Sequence, residues 1–300
     1  MSGPKLLLLG KNGQVGWELQ RALAPLGEVI ALDRQQADLS KPDTLSAIVE
    51  EIRPQVVINA AAYTAVDKAE SEPELAHAVN AEAPARLAEA AHKVGARLIH
   101  YSTDYVFAGD KDGAYVETDA TGPASIYGQT KLGGEQAVLA ASARNFVFRT
   151  CWVYGRHGGN FAKTILRLAK ERAELRVVED QIGAPTPAAL IADVTAQILG
   201  QVLRRPDLVP AGGLYHLAAA GKTSWHGFAR QIVSEATTLG AELKLNADAI
   251  EPIPTSGYPL PAPRPANSRL DCSKLQNAFN LNLPDWQAPL SLILADILKP

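Results

Sequence analysis

The sequence predicts an α/β fold: a doubly wound parallel sheet of the Rossmann type followed by a smaller C-terminal domain. Short apolar runs alternate with amphipathic helical segments in the first half of the chain, which is typical of a parallel sheet with helices on both faces. A glycine-rich turn joins the first apolar run to the first helical segment. After Thr150 the chain becomes richer in loops, and residues 252–265 hold a high density of its 20 prolines.

The composition is that of a globular chain of ordinary charge. It has 300 residues, 47% of them hydrophobic, and a net charge of −3. That charge argues against a nucleic-acid partner, and no apolar run approaches the ~18 residues that span a bilayer. The two cysteines, Cys151 and Cys272, have neither metal-ligand nor disulfide spacing. We therefore expect no metal site, no nucleic acid, no membrane and a cytoplasmic location.

The glycine turn follows the first predicted strand, residues 6–9, and precedes a helix predicted from residue 17 to about 24. Its spacing is G-x-x-G-x-x-G. In this context glycines let the backbone approach a pyrophosphate, and the helix N-terminus offers free N–H groups and a partial positive charge. The sequence therefore predicts a dinucleotide site whose turn is formed by Gly10, Gly13, Gln14, Val15 and Gly16.

The second predicted strand, residues 28–33, ends in Asp33, about twenty residues after the turn. An acid at this distance suits the ribose hydroxyls of the adenosine, whereas the adjacent Arg34 suits a 2′-phosphate. Because the two effects oppose each other, we expect both NADH and NADPH to be used. Asp38 and Leu39 are expected to bracket the adenine.

The same alternation assigns the other elements. We predict helices at 44–52, 74–94 (interrupted near Pro84), 127–141, 161–172, 188–203, 225–239 and 285–298, and strands at 56–59, 98–101, 146–149, 175–178 and 213–218. This assigns residues 1–150 to a dinucleotide-binding domain, to which about 160–178 and 188–204 return. Residues of about 151–159, 179–187 and 205–300 are assigned to a substrate-binding domain.

A tyrosine and a lysine carry the predicted chemistry. Tyr127 and Lys131 are four residues apart on a predicted helix, so they share one face. An ammonium beside a phenol lowers a pKa that is ordinarily ~10, which would let the tyrosine exchange a proton near neutral pH. Thr103, at the end of a predicted strand, could hydrogen-bond the same substrate oxygen.

Four longer segments resemble the extended short-chain dehydrogenase/reductase superfamily and, within it, the dTDP-4-dehydrorhamnose reductases. The likeness runs over the whole chain. These segments are Gly10-Lys11-Asn12-Gly13-Gln14-Val15-Gly16-Trp17-Glu18-Leu19, Asn59-Ala60-Ala61-Ala62-Tyr63-Thr64-Ala65-Val66-Asp67-Lys68-Ala69-Glu70, His100-Tyr101-Ser102-Thr103-Asp104-Tyr105-Val106-Phe107 and Arg264-Pro265-Ala266-Asn267-Ser268-Arg269-Leu270.

The resemblance implies a reaction in which a nicotinamide delivers hydride to C4 of a 4-keto sugar nucleotide, a step in making dTDP-L-rhamnose for cell-surface polysaccharide. It implies that Tyr127 protonates the developing alkoxide. It implies that Lys131 lowers the pKa of that tyrosine and holds the nicotinamide ribose. Thr103 would hydrogen-bond the carbonyl, and Asp104 and Trp152 would contact the sugar nucleotide.

Further contacts are implied for residues outside this centre. Ala62, Tyr63 and Thr64 would meet the middle of the cofactor. Arg264 is our own candidate for the nucleotide diphosphate, because a bidentate guanidinium suits phosphate. Some members of the family hold Mg²⁺ between glutamates at a dimer contact, and Glu18 fits one such position. We expect the other acids to be missing near residues 188–189 and 293–297, and therefore little dependence on Mg²⁺, with a homodimer left open. These stretches hold no glutamate, although Asp193 and Asp296 lie in or near them.

Three other functions remain open. Sugar-nucleotide 4,6-dehydratases share the scaffold but carry Thr-Asp-Glu, where this chain has Tyr105 as the third residue. A reductase or epimerase of another nucleotide-6-deoxyhexose would share every catalytic residue. A non-catalytic NAD(P)-binding regulatory subunit, such as the beta subunit of methionine adenosyltransferase, resembles the same family.

Overall fold

A computed structural model of the chain describes residues 3–299. Within that range the strands are β1 (Lys5–Leu9), β2 (Glu28–Leu32), β3 (Val56–Asn59), β4 (Arg97–Thr103), β5 (Phe146–Thr150), β6 (Val153–Tyr154), β7 (Leu175–Val178), β8 (Ile182–Gly183), β9 (Thr186–Pro187), β10 (Gly213–His216), β11 (Thr223–Ser224) and β12 (Ile250–Ile253).

The α-helices of the same range are α1 (Gln14–Leu23), α2 (Leu45–Ile52), α3 (Val66–Ala69), α4 (Pro73–His77), α5 (Ala83–Lys93), α6 (Ile126–Ala141), α7 (Phe161–Glu171), α8 (Ala188–Arg204), α9 (Trp225–Thr238), α10 (Ser273–Phe279) and α11 (Leu290–Leu298). A π-helical turn, Ala78–Glu82, separates α4 from α5, close to the interruption predicted near Pro84. None of the helices between residues 3 and 299 has the length and apolar character needed to cross a membrane.

The large sheet has six strands in the order β10-β5-β4-β3-β1-β2. Each neighbouring pair is parallel, so the predicted doubly wound parallel sheet is confirmed. The chain leaves β1 toward β2 on one side and later places β3 on the other. The sheet therefore has its topological switch point between the carboxyl ends of β1 and β3, where open α/β sheets bind ligands.

The leucines of β1 show why both sheet faces are covered. Leu6 and Leu8 pack with α1 and α8, whereas Leu7 and Leu9 pack with α2, α5 and α6. All four are at most 1% exposed. Because successive side chains of a strand point to opposite faces, a wholly apolar run needs a helical layer on each side. Each buried leucine contributes roughly 1.5–3 kcal/mol.

The strand at residues 175–178 does not return to the large sheet, and that prediction was wrong. β7 pairs in parallel with β12 in a separate two-stranded sheet, and α7 packs with α9 and α11 in a second apolar core. The physical reason lies in the side chains of β7. Arg176 is exposed between the buried Leu175 and the partly buried Val177, so this strand suits a sheet with one solvated face.

The strand at residues 213–216 belongs to the large sheet, although we had assigned residues 205–300 to the smaller domain. β10 pairs with β5 after the chain has crossed the sheet through α8. Leu275 and Phe279 of α10 also join the core on that face. Tyr215 and His216 of β10 are buried, which is the burial expected of a parallel strand covered on both faces.

Candidate active site

The glycine turn lies at the switch point of the sheet and has the shape that a pyrophosphate requires. Gly10 has φ +83°, and a Cβ there would lie 2.8 Å from the Ala61 nitrogen. A Cβ on Gly16 would lie 2.0 Å from the Gly10 oxygen. Gly13 caps α1 without a side-chain hydrogen bond and is exposed. The free N–H groups of α1 therefore face the end of β1, as an anion site needs.

Gln14 and Val15 begin α1, three residues earlier than predicted, because Gly13 already has the extended backbone of an N-cap. The Gln14 side chain accepts a hydrogen bond from Asn160 Nδ2 at 3.0 Å, and Val15 packs against the core of that sheet face. Gln14 thus links the glycine turn to the loop before α7.

The end of β2 holds a cluster of opposite charges. Lys11 Nζ lies 3.2 Å from Asp33 Oδ2 and donates to Gln36 Oε1 at 2.8 Å. Partial desolvation raises the pKa of Asp33, but the Lys11 hydrogen bond and the backbone N–H groups of Gln35 and Gln36 hold it below its usual range. Arg34 Nε lies 3.5 Å from Asp38 Oδ1, and the Arg34 side chain is 78% exposed. The cation nearest to Asp33 is therefore Lys11, a residue that our sequence analysis quoted but did not assign.

Asp38 and Leu39 follow in the same region. The Ser40 hydroxyl and N–H both bond Asp38 Oδ1, at 2.8 and 3.1 Å, which lowers the pKa of that carboxyl. Leu39 is 5% exposed and its side chain belongs to the core. A contact of Leu39 with adenine, as predicted, would therefore use its backbone atoms and not its side chain.

The loop after β3 is held by a buried amide. Asn80 Oδ1 accepts from the Tyr63 N–H at 2.9 Å, and Asn80 Nδ2 donates to the Tyr63 carbonyl at 3.0 Å. These two hydrogen bonds fix the backbone between Ala62 and Thr64. The Tyr63 hydroxyl donates to Glu72, and that bond raises the pKa of Tyr63 to about 12. Asn80 belongs to the π-helical turn. The turn that interrupts the helix therefore also supplies the side chain that fixes the loop after β3.

Tyr127 reaches the end of β4 because its helix packs very close to that strand. Ser125 caps α6 by accepting from the Gly128 N–H at 3.1 Å. A Cβ on Gly128 would lie 2.3 Å from the Tyr105 oxygen. Thr103 is the last residue of β4, and its hydroxyl lies close enough to the Tyr127 phenol to affect the pKa of that phenol. The predicted convergence of Tyr127 and Thr103 is therefore present.

The predicted effect of Lys131 on Tyr127 is absent from this structure. Burial raises the pKa of Tyr127 to about 12, while the nearby Thr103 hydroxyl opposes the rise. The Lys131 ammonium nitrogen instead donates to the Tyr101 carbonyl at 2.6 Å and lies 3.3 Å from His100 Nε2. A phenol of raised pKa keeps its proton at neutral pH, which suits a donor of that proton.

Asp104 is a buried carboxyl, 3% exposed. Desolvation raises its pKa to about 6, although the nearby hydroxyls of Ser268 and Thr103 oppose the rise. Its Oδ1 accepts from Thr103 Oγ1 at 3.1 Å, whereas Oδ2 has no partner within residues 3–299. An unsatisfied buried acceptor beside Thr103 is available to a hydroxyl of a substrate.

A cavity of about 1320 Å³ opens beside Tyr105, between α7, the β7–β12 sheet and the proline-rich loop. Trp225 and Gln181 line it and are joined by a hydrogen bond of 3.2 Å. Trp152 stacks on Trp225 at 3.6 Å between ring centroids and has a φ of 47°. That φ is unusual for a bulky residue, and Trp225 rather than Trp152 lines the cavity.

Arg264 lines the same cavity but is already paired. Its guanidinium donates to Asp67 Oδ2 at 2.8 Å and to the Ala262 carbonyl at 3.1 Å. Asp67 Oδ1 also accepts from the Ala262 N–H. This bridge joins α3 of the large-sheet half to the proline-rich loop, a contact that sequence reasoning missed because the two residues are remote in the chain.

Between residues 3 and 299, no group of three or more His, Cys, Asp and Glu side chains has a metal-binding arrangement. Glu18 lies 3.7 Å from Arg21, whose guanidinium pairs with Asp193 at 2.9 Å.

Together these features define an NAD(P)-dependent oxidoreductase of the extended short-chain dehydrogenase/reductase class: a Rossmann sheet with a glycine turn, and a Thr-Asp strand end beside a Tyr-x-x-x-Lys helix. The chain belongs to the dTDP-4-dehydrorhamnose reductase family, and the family model described as RmlD substrate binding domain matches residues 4–299.

Named relatives place the chain in that family. It is 52% identical over 296 residues to the dTDP-4-dehydrorhamnose reductase of Escherichia coli strain K12, with 97% of each chain covered. It is 51% identical to that of Burkholderia thailandensis, covering 98% of this chain and 99% of the relative. The crystal structure of the Bacillus anthracis reductase in complex with NADP superposes with a TM-score of 0.87 at 37% identity, covering 98% and 99% of the two chains.

Proposed function

We propose that this enzyme reduces the 4-keto group of dTDP-4-dehydro-6-deoxy-L-mannose to dTDP-L-rhamnose, with NADPH or NADH as the reductant. The observation that carries the proposal is the proximity of the buried Tyr127 phenol to the Thr103 hydroxyl at the carboxyl end of β4. It places an acid and a hydroxyl at one point, next to the switch point where the glycine turn lies. The names of the relatives supply the substrate.

The roles of the residues follow from their surroundings. A bound nicotinamide cofactor supplies the hydride that adds to the carbonyl carbon. Tyr127, which burial keeps protonated at neutral pH, gives its proton to the carbonyl oxygen as negative charge develops there. Thr103 donates a hydrogen bond to the same oxygen, and Asp104 accepts one from a sugar hydroxyl through its unpaired Oδ2. Lys131 holds the nicotinamide ribose.

The cofactor site is proposed at the switch point. The pyrophosphate is surrounded by the glycine turn, which consists of Gly10, Gly13, Gln14, Val15 and Gly16. The middle of the cofactor meets the segment that Asn80 holds by hydrogen bonds, which consists of Ala62, Tyr63 and Thr64. Asp33, Arg34, Asp38 and the Leu39 backbone surround the adenosine. We add Lys11 to this group, because its ammonium neutralises Asp33 and thereby removes much of the repulsion that Asp33 would exert on a 2′-phosphate.

The nucleotide part of the substrate is proposed to occupy the cavity beside Tyr105. Its volume leaves room for a ligand of this size, and Trp225, on which Trp152 stacks, gives it an aromatic wall. Arg264 lines the cavity with its guanidinium half-engaged by Asp67. A diphosphate carries more charge than one carboxylate, so it competes with Asp67 for this guanidinium.

Three related proposals concern the setting of the enzyme. A reductase that consumes NADPH and a nucleotide sugar is proposed to act in the cytoplasm. The buried, unpaired cysteines Cys151 and Cys272 fit a reducing compartment. A homodimer and little dependence on Mg²⁺ are the other two proposals. Light scattering with and without EDTA tests both, because it measures the oligomeric state in the presence and absence of the metal.

The test is an assay of NADPH oxidation at 340 nm with dTDP-4-dehydrorhamnose, followed by identification of the sugar product by NMR. The proposal predicts turnover and dTDP-L-rhamnose. A regulatory subunit would bind NADPH and oxidise none of it. A product with inverted configuration at C4 would instead identify a reductase of another 6-deoxyhexose.

Dehydration is the weaker alternative. The 4,6-dehydratases carry a glutamate where this chain has Tyr105, and the Tyr105 ring packs against Tyr127 with centroids 5.4 Å apart. No carboxylate therefore occupies that position. Incubation with a 4-hydroxy sugar nucleotide and NAD⁺ should yield no 4-keto-6-deoxy product.

A further inference from the structure

A buried histidine, for which the proposed reaction has no role, lies next to the lysine of the site. His100 belongs to β4 and is 1% exposed. Its Nε2 lies 3.3 Å from Lys131 Nζ, and its Nδ1 lies 3.2 Å from Nδ2 of Asn59 on the neighbouring strand β3. Lys131 is 2% and Asn59 1% exposed. The three polar side chains thus form a line that is closed off from solvent.

The backbone determines which way the Asn59 amide points. The Ala61 N–H donates to Asn59 Oδ1 at 3.2 Å, so the amide oxygen is turned toward Ala61 and the NH₂ group toward His100. An amide NH₂ only donates, and Nδ1 of the ring must therefore accept. A neutral imidazole has one proton, which then sits on Nε2. Burial is the largest cause that holds the pKa of His100 well below its usual value, so the ring takes no second proton.

The Nε2–H group faces Lys131. An ammonium has three donors and no acceptor, so it cannot accept a hydrogen bond from Nε2–H, whereas the neutral amine can use its lone pair. In either form Nζ still donates to the Tyr101 carbonyl at 2.6 Å. We propose that His100 is a positioning residue that Asn59 holds in the Nε2–H tautomer, and that in this tautomer it favours the neutral amine of Lys131.

Other groups around Lys131 act in both directions. Tyr127 and Glu135 lie one turn away on either side along α6, and Asp104 lies just beyond the end of β4. Burial lowers the pKa of Lys131 to about 8, while the Glu135 carboxylate opposes the fall. Glu135 is itself held by Arg149 of β5, with Nε to Oε2 at 2.9 Å, and its attraction for Lys131 is reduced accordingly.

His100 is not a route for protons in this arrangement. Among residues 3–299, the line of contacts ends at the buried Asn59 amide, whose side chain bonds only His100 and the Ala61 backbone. Its effect is therefore on the charge of Lys131 and, through it, on the pH range of the reaction. Only this kinetic consequence rests on the proposed reductase function. The tautomer and the charge of Lys131 can be measured without any substrate.

The first test uses the unmodified enzyme without substrate. ¹⁵N NMR with residue-specific assignment of the rings should show for His100 an unprotonated Nδ1 and a protonated Nε2 that do not change between about pH 5 and 9. The assignment is needed because His216 is also buried, and its Nδ1 lies 3.2 Å from the Asp271 carbonyl and so carries the proton. A His100 ring that carries its proton on Nδ1, or that titrates in this range, would overturn the inference. This test does not depend on whether a variant folds.

The second test changes the group that faces the lysine. In His100→Gln the amide oxygen can turn toward Nζ and accept from the ammonium. We expect ¹³C NMR of labelled lysine to show the Lys131 midpoint raised by about one pH unit or more, and the pH profile of kcat with dTDP-4-dehydrorhamnose to shift in the same direction. The matched control is His92→Gln, an exposed position on α5, which should shift neither. An unchanged Lys131 midpoint in folded His100→Gln contradicts the proposal. A shifted midpoint supports it even if the unmodified enzyme shows no turnover, a result that would refute only the reductase function.

Discussion

The rings of Tyr105 and Tyr127 pack edge to face, with centroids 5.4 Å apart and planes at 80°. The backbone of Tyr105 is fixed by its own N–H, which donates to Thr103 Oγ1 at 3.2 Å. The residue that occupies the position of the dehydratase glutamate therefore supports the proton donor from the side. One strand end fixes Thr103, Tyr105 and, through them, the Tyr127 ring.

Removing the Tyr105 ring should loosen Tyr127. An edge-to-face aromatic pair contributes about 0.5–1.5 kcal/mol, so we expect Tyr105→Ala to lower kcat about twofold to tenfold. Tyr105→Phe keeps the ring and should stay within about twofold of the unmodified enzyme. Steady-state kinetics with NADPH decides the matter, and an unchanged kcat in Tyr105→Ala would show that the ring has no such supporting role.

Asp104 should make stability depend on pH. Its pKa rises from 3.8 unfolded to about 6 in the fold, so the folded state prefers the proton. The contribution of Asp104 to the free energy of unfolding is fully present below about pH 4 and is lost as the pH rises through 6. This loss amounts to about 3 kcal/mol. In Asp104→Asn this loss disappears.

Urea unfolding at pH 4 and pH 8 measures that effect. Relative to the unmodified enzyme, Asp104→Asn should gain up to about 3 kcal/mol in free energy of unfolding between the two pH values. The exposed substitution Asp207→Asn serves as the control. A difference between Asp104→Asn and the unmodified enzyme that stays constant with pH would mean that Asp104 is ionised at no cost.

The buried pair of Glu135 and Arg149 should be essential to stability. Both side chains are 3% exposed, and Arg149 also lies over the Phe107 ring at 4.8 Å. Glu135→Gln leaves a buried guanidinium without its counter-charge, which typically costs about 3–5 kcal/mol. The double variant Glu135→Gln with Arg149→Met should recover part of this. A loss below about 1 kcal/mol in the single variant would show that Arg149 finds another partner or water.

Lys11 should decide how well NADPH binds relative to NADH. We expect the unmodified enzyme to use both, with a preference below roughly a thousandfold, or ~4 kcal/mol. Lys11→Met leaves Asp33 without its ion pair, so NADPH affinity should fall about tenfold to a hundredfold while NADH affinity changes little. Arg34→Met, at a side chain 78% exposed, should change either affinity by less than about threefold. Titration of cofactor fluorescence measures each dissociation constant, and equal losses for both cofactors would argue against a role at the 2′-phosphate.

Local sequence patterns predicted the large sheet and the main elements of the site. The apolar run of β1, the glycine turn and the spacing of Tyr127 and Lys131 each follow from rules that act within a few residues. The roles of His100 and Asp67 were missed because their partners, Lys131 and Arg264, are 31 and 197 residues away. Such pairings depend on how elements pack, which sequence spacing does not show.

Two of the wrong predictions have the same origin. The alternation of side chains in a short strand such as β7 identifies it as a strand but does not show which strand it pairs with. Its pairing with β12 therefore could not be distinguished from a return to the large sheet. The raised pKa of Tyr127 depends on burial, and the ammonium that was expected to lower it is drawn to the Tyr101 carbonyl. Both outcomes were decided by tertiary surroundings rather than by spacing along the chain.

The central claim is that Tyr127 donates the proton to the substrate oxygen. Tyr127→Phe keeps the ring that packs on Tyr105 and removes only the hydroxyl, while the glycine turn and Asp33 stay intact, so cofactor affinity should be retained. Thr103→Val, which removes one hydrogen bond to a developing charge, should cost less, about 1.5–3 kcal/mol.

The decisive measurement is the rate of NADPH oxidation with dTDP-4-dehydrorhamnose by Tyr127→Phe, beside a cofactor titration of the same preparation. General acid catalysis contributes typically 10²–10⁴-fold, so turnover should fall by about that factor with the dissociation constant of NADPH unchanged. Retention of more than about a tenth of the activity would contradict the assignment of Tyr127 as the proton donor.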